Sequence, residues 1–429
     1  MAEPLPDIVF RNVRVLDPSR GEDAVRDLAV AGGRFAPASV AIAAGAPAVD
    51  ASGLAAAPGL RDVHVHFRDP GVPAAETTAT GAAAAAAGGF TCVTVMPNTS
   101  PAGDSPEWVR SQAAAQVPVR IAPSACITAG RAGRAPAALE ELAAAGAVAF
   151  TDDGSYVADA AVMREAMLRA AALGRPVMQH AVDPVLLAGG VIRDCPAARR
   201  FSLPAMPPEA ETEAVRRDIA LCRETGCALH VQHVSCAGTV ELLRAAQAEG
   251  LPVTGEATPH HLFFCAGDIP ADDAAWKMAP PLGSAADREA LRAAVAEGVL
   301  SMFATDHAPH PAASKLGGFA KGANGIVGLE TALAATWTAM VLSCGMAPLD
   351  WAARWTSAPA RLIGDPPPSL ADGAPADFTV FDPSAEWTVD PDRFMSMSRN
   401  TPFAGVALRA RPLLTVCNGR ITHGSAFLR

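Results

Sequence analysis

Near the N-terminus apolar and polar positions alternate. Asp7-Ile-Val-Phe-Arg-Asn-Val-Arg-Val-Leu16 reads as a half-buried strand, Asp17-Pro-Ser-Arg-Gly21 as a turn, and Leu28–Phe35 repeats the alternation around Gly32-Gly33. The tail returns to this pattern at Asp377–Phe381, at the turn Asp382-Pro383, and at Leu413–Cys417 before Asn418-Gly419. Strand-rich ends around a different middle predict one small β-sandwich domain assembled from residues 1–57 and 366–429. The middle, 58–365, switches period. Short apolar runs at Leu60–His66, Phe90–Met96, Val117–Pro123, Ala147–Thr151, Pro176–His180, Ala228–Val234, Pro252–Glu256 and Leu300–Thr305 read as strands. Between them, stretches such as Ala158–Leu173, Glu209–Glu224, Thr239–Glu249 and Ala286–Glu297 carry apolar residues at helical spacing and stop at glycines. Eight strands with intervening helices predict an α/β fold of the (β/α)8 TIM-barrel type. The rival, an open doubly wound sheet, lacks its glycine-rich fingerprint after any of these strands.

Composition narrows the partners. The 429 residues include 34 Lys plus Arg against 44 Asp plus Glu, a formal net charge of −10, with no basic run. Such a chain is a poor ligand for nucleic-acid phosphates or an anionic membrane surface. The longest uncharged stretch, Thr77–Gly103, is alanine-rich and broken by Gly88-Gly89, Pro97 and Asn98, so no membrane span is expected. The start of the sequence has neither the basic nor the apolar part of a signal peptide. Nine scattered cysteines without a C-x-x-C pair read as reduced, mostly buried thiols, and the expected location is cytoplasmic.

In a barrel of this type the chemistry belongs at strand C-terminal ends. The first strand ends His64-Val65-His66, and residues two apart on a strand face one side. The fourth ends Asp152-Asp153-Gly154, the fifth at His180, the sixth at His233, and the eighth at Asp306-His307-Ala308-Pro309-His310. Taken singly, each has an ordinary explanation: a core histidine, a turn aspartate, a helix cap. Four of only ten histidines at strand ends argue instead for a site holding one or two divalent ions, with zinc suited to imidazole and carboxylate and Mn, Co, Ni or Fe as substitutes. By parity, His230 faces away from His233, and His260-His261 fall in the loop after strand seven. Arg68 continues the face of His66, and its fork suits a carboxylate. The glycine-containing segment Pro311–Asn324 reads as a mobile loop over the site, with Lys315 and Lys321 as solvated charges.

Four segments together, His64-Val-His-Phe-Arg-Asp-Pro-Gly71, Met96-Pro-Asn-Thr99, Phe150-Thr-Asp-Asp-Gly154 and Ala304-Thr-Asp-His-Ala-Pro-His310, resemble the signatures of the dihydroorotases. The type is the longer bacterial one of the cyclic amidohydrolase superfamily. The likeness extends through Gly325–Thr331 and Gly373–Asp382. It implies His64, His66, His180, His233 and Asp306 as zinc ligands, and Asn98 and His310 as companions of Arg68 in binding a substrate carboxylate. Many relatives bridge two metals with a carboxylated lysine. Here Lys277, Lys315 and Lys321 are the only lysines, none in the usual place of that bridge, and the resemblance to the bacterial type implies an aspartate there if two metals share a ligand. The resemblance implies Asp153, whose spacing to His180 matches the family pattern, leaving Asp152 to brace the loop.

The implied reaction is the reversible interconversion of N-carbamoyl-L-aspartate and (S)-dihydroorotate in pyrimidine synthesis, with Asp306 also moving the proton. A homodimer, and association with aspartate transcarbamoylase, are the expected assemblies. Relatives often carry Asn and Arg where this chain has Ala279 and Gly283, which bears on how the substrate ring is contacted. The alternatives are an allantoinase or hydantoinase, and a non-catalytic scaffold for the transcarbamoylase.

Overall fold

A computed structural model describes residues 3–428. Parallel strands Leu60–Val65, Phe90–Val95 and Arg120–Ile121 form one arc of the barrel, and Val177–Gln179, Leu229–Val231, Val253–Ala257 and Met302–Phe303 form the other. The expected fourth strand is reduced to a single point. Phe150 bridges Ala125 on one side and Val177 on the other, with Thr151 N–H donating to Ala125 O at 2.8 Å and Met178 N–H to Phe150 O at 2.8 Å. Just beyond it the chain must turn, because Thr151 Oγ1 accepts from Asp153 N–H and Gly154 adopts a φ of 77°. Between the last strand and the first, Val65 bridges His307, and the Asp62 carboxylate accepts Thr305 N–H at 3.1 Å.

Local sequence explains the helices. In Ala160–Ala172 the buried residues are Met163, Ala166, Met167 and Ala170, one stripe at helical spacing, and Asp159 accepts the first free N–H groups. Glu209–Thr225 and Ala285–Glu297 end on Gly226 and Gly298 in the left-handed conformation that glycine adopts without penalty. The alanine-rich segment becomes helix Thr78–Ala87 followed by strand Phe90–Val95. Its small side chains serve close approach: a Cβ on Gly81 would sit 2.3 Å from the Phe67 ring. Among the described residues no helix is long and apolar enough to cross a membrane.

Strands from both termini share one nine-stranded sheet. Ala55–Pro58 pairs antiparallel with Phe378–Phe381, joining the N-terminal strands Ile8–Asp17 and Glu22–Ala31 to the C-terminal Ala407–Cys417 and Arg420–His423. Phe10, Val13, Val15, Phe35, Phe378, Val380, Leu414 and Val416 are buried together beneath it. The C-terminal segment also reaches the barrel mouth, where Met397 N–H donates to Glu76 at 3.2 Å and Asn400 Nδ2 to Gly325 O at 2.9 Å. Among the described residues all nine cysteines are free thiols. Burial raises Cys222 to about 11 and Cys227 to about 12, so both stay protonated near neutral pH.

Candidate metal centre and active site

Asp153 lies at the middle of the histidines. Its Oδ1 is 3.2 Å from His64 Nε2, 3.7 Å from His180 Nδ1 and 3.8 Å from His233 Nε2, and its Oδ2 is 3.3 Å from His66 Nε2. Asp306 Oδ1 stands 3.0 Å from His66 Nε2 and 3.5 Å from His64 Nε2. Two groups of potential ligands result, His64–His66–Asp153 and Asp153–His180–His233, each with its donor atoms within 4.8 Å of one another. Asp153 belongs to both. His64 Nε2 and Asp153 Oδ1 are buried without any hydrogen-bond partner. Leaving such atoms unsatisfied costs about 1–3 kcal/mol each, and a cation between them would satisfy both. The donor set therefore fits one or two divalent metal ions.

The surroundings prepare the donors for that role. His64 Nδ1–H donates to Glu256 Oε1 at 2.6 Å, which aims Nε2 at Asp153. Burial works against charging this ring, but Asp153, Glu256 and Asp306 outweigh it and raise it well above the ordinary imidazole value, so a bound metal would take the place of the Nε2 proton. The other Glu256 oxygen is 2.9 Å from His230 Nε2, and His233 N–H donates to Oε1 at 3.0 Å. Burial, with His180 alongside, pushes His233 down to about 3, so its imidazole is neutral and its lone pair available. Burial works against ionising Asp153 and Asp306, but the neighbouring His64 and His66 outweigh it. Asp153 is held well below the usual carboxylate range and Asp306 at about 2.

Parity set His230 apart from His233, and the two rings do part. His230 Nε2 faces Glu256 Oε2, whereas beyond the strand end at Val231 His233 takes a φ of 34°, gives Glu256 only its backbone N–H and turns its ring to His180 and Asp153. Glu256 was missed altogether, although a charged residue closing the apolar run Pro252–Glu256 was a visible signal. His260 and His261 lie on the short helix Pro259–Phe263 rather than in a loop, with His261 donating to Pro280 O. Asp152 turns away from the histidines, and its Oδ1 accepts Ile127 N–H at 2.9 Å and Thr128 N–H at 3.1 Å.

A cavity of about 410 Å3 opens over the cluster, with Arg68, Asn98, Arg131, Met278, Ala279 and His310 on its walls. Arg68 is half-buried, and its NH2 lies 3.4 Å from His310 Nε2. Asn98 Oδ1 lies 2.9 Å from His66 Nδ1, an orientation contact that the sequence did not reveal. Arg131, also unforeseen, donates to Asp153 O at 2.6 Å and Ser155 Oγ at 3.1 Å. Burial, with Arg68 beside it, lowers His310 to about 4, so its ring is neutral. Ala279 lines the cavity with only a methyl group. Gly283 instead packs against backbone, since a Cβ there would lie 2.6 Å from Ser235 O.

The segment over the site is not a free loop. It forms two short helical turns, Ala312–Lys315 and Gly318–Lys321. Lys315 is a half-buried donor to three carbonyls rather than a solvated charge, whereas Lys321 is exposed. The reason is packing: Phe319 is buried, and its N–H donates to Asp272 Oδ1 at 2.7 Å.

Fold and site together define a metal-dependent amidohydrolase of the TIM-barrel kind. Residues 53–238 match the family model described as dihydro-orotase-like. The chain is 44% identical over 427 residues to a dihydroorotase of Anaeromyxobacter dehalogenans, covering 98% of both chains. It is 40% identical to a dihydroorotase of Pelotomaculum thermopropionicum, covering 98% of this chain and 100% of that one. Among solved structures, an L-hydantoinase (dihydropyrimidinase) from Arthrobacter aurescens superimposes with a TM-score of 0.83 at 26% identity, covering 97% of this chain and 96% of that one. A dihydropyrimidinase from Brevibacillus agri has the same fold, with a TM-score of 0.83 at 24% identity over 97% of this chain and 94% of that one. The chain belongs to the dihydroorotase family and is a cyclic amide hydrolase.

Proposed function

We propose that the protein is a zinc-dependent dihydroorotase, interconverting N-carbamoyl-L-aspartate and (S)-dihydroorotate in pyrimidine synthesis. The observation that carries this reading is Asp153, shared between two pairs of histidines directly beneath a cavity walled by Arg68 and His310. His64, His66, Asp153, His180, His233 and Asp306 would hold the metal. When bound, a divalent metal supplies Lewis-acid polarisation of the amide carbonyl and activation of water.

The remaining work falls to side chains. Asp306, ionised at neutral pH, takes the proton of the attacking water and delivers it to the ring nitrogen as the C–N bond breaks; ring closure runs the same transfer backwards. Arg68 pairs with the substrate carboxylate, and the Asn98 amide and His310 complete its seat. Arg131 holds the Asp153 backbone, which fixes the direction of the carboxylate between the histidines. We place the protein in the cytoplasm as a homodimer able to associate with aspartate transcarbamoylase.

The test is a substrate panel on purified protein with bound metal quantified. Loss of dihydroorotate absorbance in the ultraviolet, with zinc present, is the expected result. No turnover of dihydroorotate or N-carbamoyl-aspartate by metal-loaded protein would refute the proposal. A hydantoinase activity is the second reading, favoured by the Arthrobacter aurescens structure and by Ala279, whose methyl group offers the substrate ring no polar contact. Faster turnover of hydantoins in the same panel would establish it instead.

A further inference from the structure

Two of the chain's three lysines, Lys277 and Lys315, meet on one segment beside the cavity. Lys315 Nζ lies 2.7 Å from Ala323 O, 2.7 Å from Gly325 O and 3.2 Å from Lys277 O, so the three donors of one ammonium find three backbone carbonyls. Lys277 Nζ donates to Gly322 O at 2.7 Å. None of these contacts involves a carboxylate; three of the four acceptors, Gly322 O, Ala323 O and Gly325 O, lie on the ribbon 322–325.

That ribbon holds His310. Asn324 O accepts from His310 Nε2 at 2.7 Å. Asn400 donates to Gly325 O at 2.9 Å and accepts His310 N–H at 3.2 Å, so the same ribbon is linked to the His310 backbone as well as its ring. The packing is close: a Cβ on Gly325 would lie 3.2 Å from His310 Nε2 and 2.6 Å from Ala308 Cβ. A displacement of the ribbon would therefore move the imidazole and its neighbour Arg68, whose NH2 is 3.4 Å away.

We infer that Lys315 is a positioning residue for substrate-anion recognition, its ammonium clamping the 322–325 ribbon so that Asn324 O holds the His310 ring beside Arg68. The inference rests on the proposed seat of the substrate carboxylate at Arg68, Asn98 and His310. The convergent carbonyls explain why this position uses lysine in a chain that otherwise relies on arginine. A planar guanidinium directs its donors outward in one plane and cannot cap three carbonyls that meet at a point.

The experiment compares full-length Lys315→Met, Lys315→Arg and the exposed-site control Lys321→Met by hydrogen–deuterium exchange, bound-metal content and steady-state kinetics with dihydroorotate. Lys315→Gln, which keeps two donors, replaces the methionine variant if that one does not fold. In Lys315→Met, exchange at 322–326 rises and KM increases about tenfold or more, a loss of about 1.4 kcal/mol. Its kcat stays within about threefold and metal content is unchanged. Lys315→Arg fails to restore either, and Lys321→Met matches wild type. Unchanged exchange and KM in Lys315→Met would overturn the inference, as would a joint collapse of kcat, KM and metal content. If wild-type protein turned over neither substrate, the proposed function would fall, and the exchange comparison alone would decide for or against the clamp.

Discussion

Where the barrel strands begin, Arg61 and Arg120 both donate to the Asp365 carboxylate, two cations sharing one anion. Where the strands end, His64 Nε2 and Asp153 Oδ1 are buried and have no hydrogen-bond partner. His180 Nδ1 and His233 Nε2 face each other at 2.7 Å, two ring nitrogens that cannot both be protonated at that contact. The first end is held by ion pairs between opposite charges, with Arg61 Nε left unpartnered. The second keeps its polar atoms aimed at a common point, an arrangement that is unfavourable in the empty protein and favourable around a cation. A fold with both ends like the first would be more stable and would catalyse nothing.

Substitutions on either side put this contrast at risk. The largest effect is expected for Asp153→Ala, which removes the ligand common to both histidine groups. Turnover should fall by about three orders of magnitude or more, on the order of 4 kcal/mol, with metal content falling alongside. Normal metal content in that variant would remove Asp153 from the centre. Asp306→Asn keeps size and shape but not basicity, so kcat should drop about 10²–10⁴-fold while most metal remains by elemental analysis. Glu256→Gln touches no metal directly; it weakens the orientation of His64, and metal affinity should fall about 10–100-fold, read by competition with a chelator. At the opposite end, Asp365→Ala should lower thermal stability by about 1–3 kcal/mol and leave kcat and metal content at wild-type values. A loss of activity there without a loss of stability would break the comparison.

Much of this was legible in the chain. The apolar runs located the barrel strands, and the stripe Met163, Ala166, Met167, Ala170 located the helix that covers them. The strand-end histidines and aspartates were recognisable because catalytic groups of this fold occupy one position in each repeat. What stayed hidden lay in contacts that no local period carries. Alternation separated His230 from His233, but not the partner of the His230 ring, Glu256. Glu256 was overlooked because its partners His64 and His230 are far from it in sequence or separated by a strand crossover. Lys315 looked solvated because its acceptors are main-chain carbonyls, which residue types do not advertise.

By itself, the sequence determined the alternation that makes a barrel and the set of side chains available to a metal. The absence of lysine before Lys277 also rules out a lysine bridge in that stretch. The family pattern pointed to Asp153 over Asp152, and the tertiary structure supplied the physical reason, since consecutive residues point to opposite sides and the turn at Gly154 sets which is which. Only the tertiary structure decided that Glu256 lies beneath His64 and that Lys315 binds the ribbon at His310. These outcomes depend on contacts between segments up to hundreds of residues apart, and on backbone groups, neither of which a local pattern of polar and apolar positions encodes.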